Sequence, residues 1–294
     1  MKKTLITIII VGLVLLVVGK AIMMFSEKQD ESMSIINNNE NLNLNSSEIK
    51  DNYVIIEQEF DNVENLNLSL GIYRVLIESD SSINKVKVTA KKPIYKQGGK
   101  DINKLDINYS NGNLVIEQNQ EGKSFNVGNL NLDNLKGEIL IKVPESFNIN
   151  KINIENGVGL IEVKGVKLNT LDIDCGTSSV TASNLIMNNC YVSGGTGSIK
   201  FTNTTTDILK VDSGTGSAYY SGDILDKANI STGTNKVELE LNGKEDVYNF
   251  DIETGLGSIK INDKSYKKEI NLNSNADRGI TVETGTGSVN INTK

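Results

Sequence analysis

The sequence predicts an all-β fold: a β-solenoid (β-helix-like) of about 19-residue coils, preceded by one N-terminal transmembrane helix. Three observations carry this expectation. One short phrase returns along the second half, with turn glycines at Gly157, Gly176, Gly195, Gly214, Gly233, Gly255 and Gly285; the first four steps are 19 residues each, and the next two are 22 and 30. A fixed period of this kind marks a repeat architecture. Apolar residues alternate on both sides of every glycine, the period of a half-buried strand. Ahead of all this, residues 1–25 hold an apolar run long enough to cross a bilayer as a helix.

Taken in order, the chain opens with Lys2 and Lys3, then Leu5 to Val18, Gly19, Lys20 and Ala21 to Phe25. The run from Leu5 through Phe25 is 21 residues long, and Lys20 near its outer end can snorkel. An uncleaved signal anchor over 1–25 fits better than a cleaved signal, because no small-x-small site follows the apolar stretch. No cysteine lies there, so a bacterial lipoprotein signal is excluded. Lys2 and Lys3 stay cytoplasmic by the positive-inside rule, which makes this a single-pass protein of the cell membrane with the bulk of its chain extracytoplasmic. Residues 26–50, polar and rich in Asn, Ser and Glu, are expected as a flexible stalk, although Asn41 to Leu44 has the alternation of a strand.

Residues 51–150 are expected to form irregular coils and the cap of the solenoid. Leu66 and Leu68 before Gly71, with Val75 and Ile77 after it, repeat the offsets of the later coils. Val86, Val88 and Ala90 alternate, as do Leu105, Ile107 and Tyr109 and then Leu114 and Ile116 across Asn111-Gly112, a strong hairpin signal. Ile139, Ile141 and Val143 lead to a strand end at Pro144. One core shared with the solenoid is the first reading; a separate β-sandwich is the runner-up.

Residues 151–294 hold the regular repeats. Five residues before the glycine stand Ile152, Leu171, Cys190, Leu209, Ala228, Phe250 and Ile280; three before stand Ile154, Ile173, Val192, Val211, Ile230, Ile252 and Val282. Four after stand Ile161, Val180, Ile199, Ala218, Val237, Ile259 and Val289; six after stand Val163, Ala182, Phe201, Tyr220, Leu239, Ile261 and Ile291. A Gly-x-Gly corner joins the two strands without a Cβ clash, since glycine tolerates positive φ. Leu168, Met187 and Leu225 mark a third inward segment, which Thr206 interrupts. One coil cannot bury its apolar face alone, but a stack can. Ile291 lies in the last coil of the sequence, so that coil is expected at an open edge, available for edge-to-edge self-association.

Composition narrows the chemistry. The chain has no His, no Trp, 26 Gly, 2 Pro and a formal charge of −7. Absence of histidine removes the commonest general base near neutral pH and the commonest metal ligand. Net acidity argues against general nucleic-acid binding, which needs a basic footprint.

Each candidate site has a plainer reading. Glu155, Asp174, Asp212, Glu253 and Glu283, two before their glycines, would stack as a calcium ladder. Ser198, Ser217 and Ser288, however, stand where a calcium β-roll wants Asp, so solvated carboxylates fit better. Thr177, Thr196, Thr215, Thr234 and Thr286 form a second ladder, but in corners rather than on the flat strand that ice binding needs. Cys190 lies in the column of Leu171, four residues from Cys175, or about 13 Å along a strand, too far for a disulfide. Cys190 is therefore expected buried and Cys175 free near the turn. The Gly-x-Gly turns precede strands rather than helices, which excludes a nucleotide-binding loop. No catalytic residue, metal ligand or cofactor site is assigned.

Lys142-Val143-Pro144, then Ile152-Asn153-Ile154 and repeated Gly-x-Gly-x-Ile turns, resemble the bacterial domain of unknown function labelled "putative adhesin" over roughly Val54 to Ile291. The resemblance implies a β-solenoid behind a membrane segment, in a family some of whose members are associated with cell-envelope stress operons. It implies no catalytic residues. The expected function is a non-catalytic scaffold or adhesin-like interaction module facing out from a bacterial envelope, with an envelope protein or cell-wall glycan as partner. A polysaccharide-processing β-helix enzyme is the alternative; Arg74 and Arg278, the only arginines, lie far apart for a shared cleft.

Overall fold

The structure, a computed structural model, describes residues 46–50, 53–97, 99–120, 137–273 and 275–294. The signal anchor expected over 1–25 lies outside them, as does the stalk up to residue 45. No helix among the described residues is long and apolar enough to cross a membrane. Strand β1 (Ser46–Lys50) pairs with β2 (Tyr53–Phe60), so the last five residues of the expected stalk belong to the sheet.

Almost everything else is strand. β3 (Asn65–Asp80), β10 (Ile149–Lys164) and β11 (Leu168–Ser183) are single coils of 16 residues, each bent at its glycine. The continuous β12 (Ile186–Leu241) carries the next three corners, Gly195, Gly214 and Gly233. Neighbouring coils run parallel, and Ile152 pairs with Leu171, which pairs with Cys190, so the 19-residue period of the sequence is the register of the stack. The Gly71 coil obeys the same rule, with Leu66 opposite Ile152 and Val75 opposite Ile161. All four apolar columns are buried through eight coils, from Leu66 to Ile291. Bulk is balanced within a coil: Phe201 shares one with Cys190, and Tyr220 shares one with Ala218.

Stack order departs from chain order at both ends. β8 (Asn113–Gln120) and β9 (Gly137–Pro144) pair with the two arms of β3 on the side away from β10, so the Gly71 coil is inserted between later ones. At the other end, β17 (Arg278–Thr286) and β18 (Val289–Thr293) lie between β12 and the pair β13 (Tyr248–Leu256) and β14 (Ile259–Ile261). Ile291 thus pairs with Leu239 on one side and Ile261 on the other. This corrects the expectation of an open edge there. The outermost C-terminal coil is that of Gly255, covered by two short antiparallel strands, β15 (Lys264–Tyr266) on β14 and β16 (Glu269–Leu272) on β13. Short edges next to charged residues resist further pairing.

The N-terminal end is closed by β2, β4 (Val86–Pro93) and β9 in antiparallel order, and by the hairpin of β7 (Asn103–Ser110) with β8. Asn111 and Gly112 both have positive φ (50° and 77°), the type I′ turn that matches strand twist. A small hairpin of β5 (Lys96–Gln97) and β6 (Lys100–Asp101) completes this end. Lys92, mostly buried, holds it: its ammonium bonds the Asp101 carboxylate and the Asn103 carbonyl (2.8 Å). Asn103 and Gln118 continue the network, and Gln118 accepts the amide of Gly71 at 2.8 Å. One hydrophobic cluster runs from Val63 to Ile291, so the cap shares the solenoid core and is not a separate sandwich.

The third segment of each coil differs from its sequence reading. Leu168 and Met187 are buried, but so is Thr206, whose hydroxyl is bonded to the carbonyls of Asn188 (3.1 Å) and Ile208 (2.9 Å). Thr206 therefore fills the column rather than breaking it. In the next coil Gly222 (φ 144°) shifts the chain by one residue, so Ile224 turns in and Leu225 is left 44% exposed. The hydroxyl of Tyr220 reaches the carbonyls of Thr204 and Asp223, both at 2.8 Å, and stabilises that corner.

Candidate functional site: the glycine ridge

The feature repeated most regularly on the surface is the corner itself. In stack order its first glycines are Gly71, Gly157, Gly176, Gly195, Gly214, Gly233, Gly285 and Gly255. They are needed for close approach rather than for φ. A Cβ on Gly157, Gly176, Gly195, Gly214 or Gly233 would sit 2.5–2.7 Å from the carbonyl oxygen of the glycine in the coil before. Positive φ belongs to the second glycine, as at Gly159 (152°), Gly197 (146°) and Gly216 (148°). The second glycine also meets the neighbouring coil, since a Cβ on Gly159, Gly197, Gly216, Gly257 or Gly287 would stand 1.6–2.0 Å from a carbonyl oxygen; close approach therefore governs both positions, and positive φ is added at the second in some of the coils.

All eight first glycines are solvent-exposed, so the ridge offers a strip of peptide backbone without side chains. Eight rungs at about 4.8 Å make it roughly 34 Å long. One past the glycine, Thr177, Thr196, Thr215, Thr234 and Thr286 occupy five successive rungs, ending at Leu256, which is 66% exposed. Beyond them lie Ser179, Ser198 and Ser217, with the hydroxyls of Ser198 and Ser179 3.3 Å apart. On the other flank, the carboxylate column is interrupted by Ser69, Ser193 and Ser231, and its densest part is Glu283, Glu253 and Glu269 on adjacent strands. Ser69 donates to Glu155 at 3.3 Å. Among the described residues, no three His, Cys, Asp or Glu are grouped to hold a metal ion.

Under the ridge runs a buried column of small or polar residues one before each glycine: Asn156, Cys175, Ser213, Thr232, Thr284 and Thr254 among them. Three of these side chains, Asn156, Ser213 and Thr254, brace the corner by hydrogen bonds. Asn156 donates to the Tyr73 carbonyl (3.1 Å), Thr254 to that of Gly287 (3.1 Å), and Asn235 to the Ser213 hydroxyl (3.3 Å). A small residue stands there in six of the eight coils, Leu70 and Asn156 being the exceptions, and that much was legible in the sequence. Both cysteines are buried and free. Burial pushes the Cys175 thiol up to about 11 and that of Cys190 higher still, so neither is a thiolate nucleophile at neutral pH.

Asparagine, whose abundance in the sequence suits a solenoid with many short turns, has specific places in the structure. Among the described residues, every non-glycine residue with positive φ is Asn, including Asn184 and Asn203, which turn the far corner of successive coils and are linked side chain to side chain at 2.8 Å. A further amide ladder runs from Asn169 to Asn150, Asn65 and Asn113. Asparagine tolerates the left-handed region and can stack its amides, which accounts for its abundance here. Arg74 and Arg278 lie on the Gly71 and Gly285 coils, six rungs apart in the stack, and are occupied: Arg74 faces Glu162 at 3.9 Å and Arg278 lies over the Tyr248 ring.

A family model described as Toastrack DUF4097 matches residues 75–277, more than half of the sequence. The chain belongs to the Toastrack DUF4097 family. The expectation of a bacterial "putative adhesin" domain of unknown function is met by this assignment. Two solved structures are similar to the Toastrack chain. One is a "putative cell adhesion protein" from Clostridium sporogenes, 17% identical, covering 82% of this chain and 100% of that one at a TM-score of 0.42. The other is a "putative adhesin" from Bacteroides fragilis, 8% identical, covering 82% and 98% at a TM-score of 0.44. Likenesses of this size add nothing to the family assignment. No curated protein matches the Toastrack chain.

Proposed function

We propose that the protein is a non-catalytic interaction module of a bacterial cell envelope, anchored by residues 1–25 and facing outward, which engages an envelope protein or cell-wall glycan along its glycine ridge. The observation that carries this reading is the ridge's regularity: bare backbone at all eight rungs, flanked by threonines on five of them on one side and by carboxylates on five of them on the other. Glycine lets a partner approach the backbone closely. A rigid repeat sets its groups at constant spacing, which suits an extended partner, as repeat proteins bind along their faces.

The experiment uses the full chain in detergent micelles, presented to solubilised envelope proteins and to purified cell-wall glycan. Capture of one stoichiometric partner, abolished by Thr215→Lys with Thr234→Lys while the far-ultraviolet spectrum is unchanged, supports the reading. Undiminished capture by that variant removes the ridge from it. Polysaccharide turnover lost in Glu253→Gln or Glu283→Gln would favour the glycan-processing enzyme instead. A reporter fused after Lys294 that proved active in the cytoplasm would overturn the outward orientation. The envelope-stress link rests on the family resemblance, and deletion of the protein without any change in the stress response would remove it.

A further inference from the structure

The Gly285 coil fills a slot whose two walls both precede it in the chain. One wall is the Gly233 coil, which pairs along Lys227↔Gly279 to Thr234↔Thr286 and again along Val237↔Val289 to Leu241↔Thr293. The other is the Gly255 coil, which pairs with the same residues from the opposite side. Ile280, Val282, Val289 and Ile291 enter the core between them and are fully buried. The inserted segment follows its walls in the chain and is joined to them by the one connection from β16 to β17. Without residues 278–293, the facing edges of the Gly233 and Gly255 coils would have no pairing partner.

We infer that this coil exchanges between copies: two chains folding together each seat residues 278–293 in the slot of the other, giving a two-fold dimer whose rungs are all native. Nothing in the slot depends on which copy supplies the segment, the condition for swapping an identical element. The occupant is specified by its glycines. A Cβ on Gly285 would lie 2.8 Å from the Gly233 carbonyl oxygen, and one on Gly287 would lie 1.6 Å from that of Asn235. An arbitrary apolar strand is therefore refused, and a second copy of this segment is accepted. β15 and β16 cover the outer edges of β14 and β13 and are only three and four residues long themselves, so the slot is the longer site of native pairing at this end.

Ser231 and Glu283 are both exposed and paired across the slot, so cysteines there lie within disulfide reach. The test uses two full-length variants in detergent, Ser231→Cys and Glu283→Cys, each with Cys175→Ala and Cys190→Ala so that no native thiol competes, unfolded, mixed and refolded together under oxidising conditions. A covalent heterodimer is expected, its ratio to monomer rising about tenfold for a tenfold rise in protein concentration during refolding, as a bimolecular step competing with a unimolecular one requires. The same variants refolded separately and then mixed should give none. The double variant Ser231→Cys/Glu283→Cys in the same background, refolded dilute, should close its disulfide within one chain, which shows that the geometry permits the bond. Intrachain closure in the double variant with no heterodimer from co-refolding at any concentration overturns the inference. Equal heterodimer after separate refolding also overturns it, since that product comes from surface contact.

Discussion

Gly194 and Gly195 are neighbours in sequence, yet alanine at the two positions should have opposite consequences. At Gly195 an added Cβ would stand 2.6 Å from the carbonyl oxygen of Gly176. Carbon–oxygen contacts settle at about 3.3–3.6 Å, so the two rungs would have to part by roughly 0.7 Å or more. Inter-rung hydrogen bonds near 2.9 Å would stretch past their useful range. Two such bonds at about 1 kcal/mol each, with about 1 kcal/mol or more of packing strain, give a loss of roughly 2–4 kcal/mol for Gly195→Ala. At Gly194 the new methyl would meet only the Cys175 sulfur at 3.4 Å and the Ile199 Cδ1 at 3.8 Å. Lower entropy of the unfolded chain favours alanine there by about 0.4–1 kcal/mol, so Gly194→Ala should stay within about 1 kcal/mol of the parent. Guanidinium unfolding followed by circular dichroism reads both as shifts in midpoint at constant slope. Equal midpoints for the two variants would refute the close-approach account of the ridge.

Four further outcomes are expected. Thr206→Val should cost about 1–2 kcal/mol in the same assay, because it strands the carbonyls that the buried hydroxyl now serves. Tyr220→Phe should cost about as much, through the carbonyls of Thr204 and Asp223. Neither cysteine should react with an aromatic disulfide reagent in the folded protein at pH 8, and both should react after unfolding; burial raises Cys175 to about 11, so its reactivity should appear first as the pH climbs. Asp80 is held down to about 2 by hydrogen bonds from Ser82 and then from Lys142. Its folded-state value lies below the unfolded one near 4, so its contribution is present above about pH 4 and fades as pH falls towards 2. Asp80→Asn should therefore be less stable than the parent at pH 7, with the difference closing by about pH 2 in acid titrations of both proteins.

Much of this architecture could be read directly from the residues, because periodicity and close approach are local demands. The 19-residue step, the four apolar columns and the copy at Gly71 all follow from which residues alternate about a glycine. The hairpin at Asn111-Gly112 and the strand end at Pro144 follow from turn chemistry. The ridge residues were legible too, but their roles were not: that both glycines of a corner lie against carbonyls of the neighbouring coil, with positive φ added at Gly159, Gly197 and Gly216, depends on that coil. Leu225 was misread because Gly222 moves the frame by one residue, and strand alternation turns a one-residue shift into a change of face.

By itself the sequence determined what each coil is made of: where it bends, which side chains go inward, and how far the chain advances before repeating. Which coil lies beside which was decided only in three dimensions. Every coil carries the same four apolar positions and the same corner, so the pattern permits any of them as a neighbour of any other. The loops of unequal length beyond Gly233 allow the Gly285 coil to pass behind the Gly255 coil and take both of its edges out of solvent. Hydrogen bonding on two sides instead of one, with β15 and β16 closing the rung left outside, accounts for an order that the linear chain does not display.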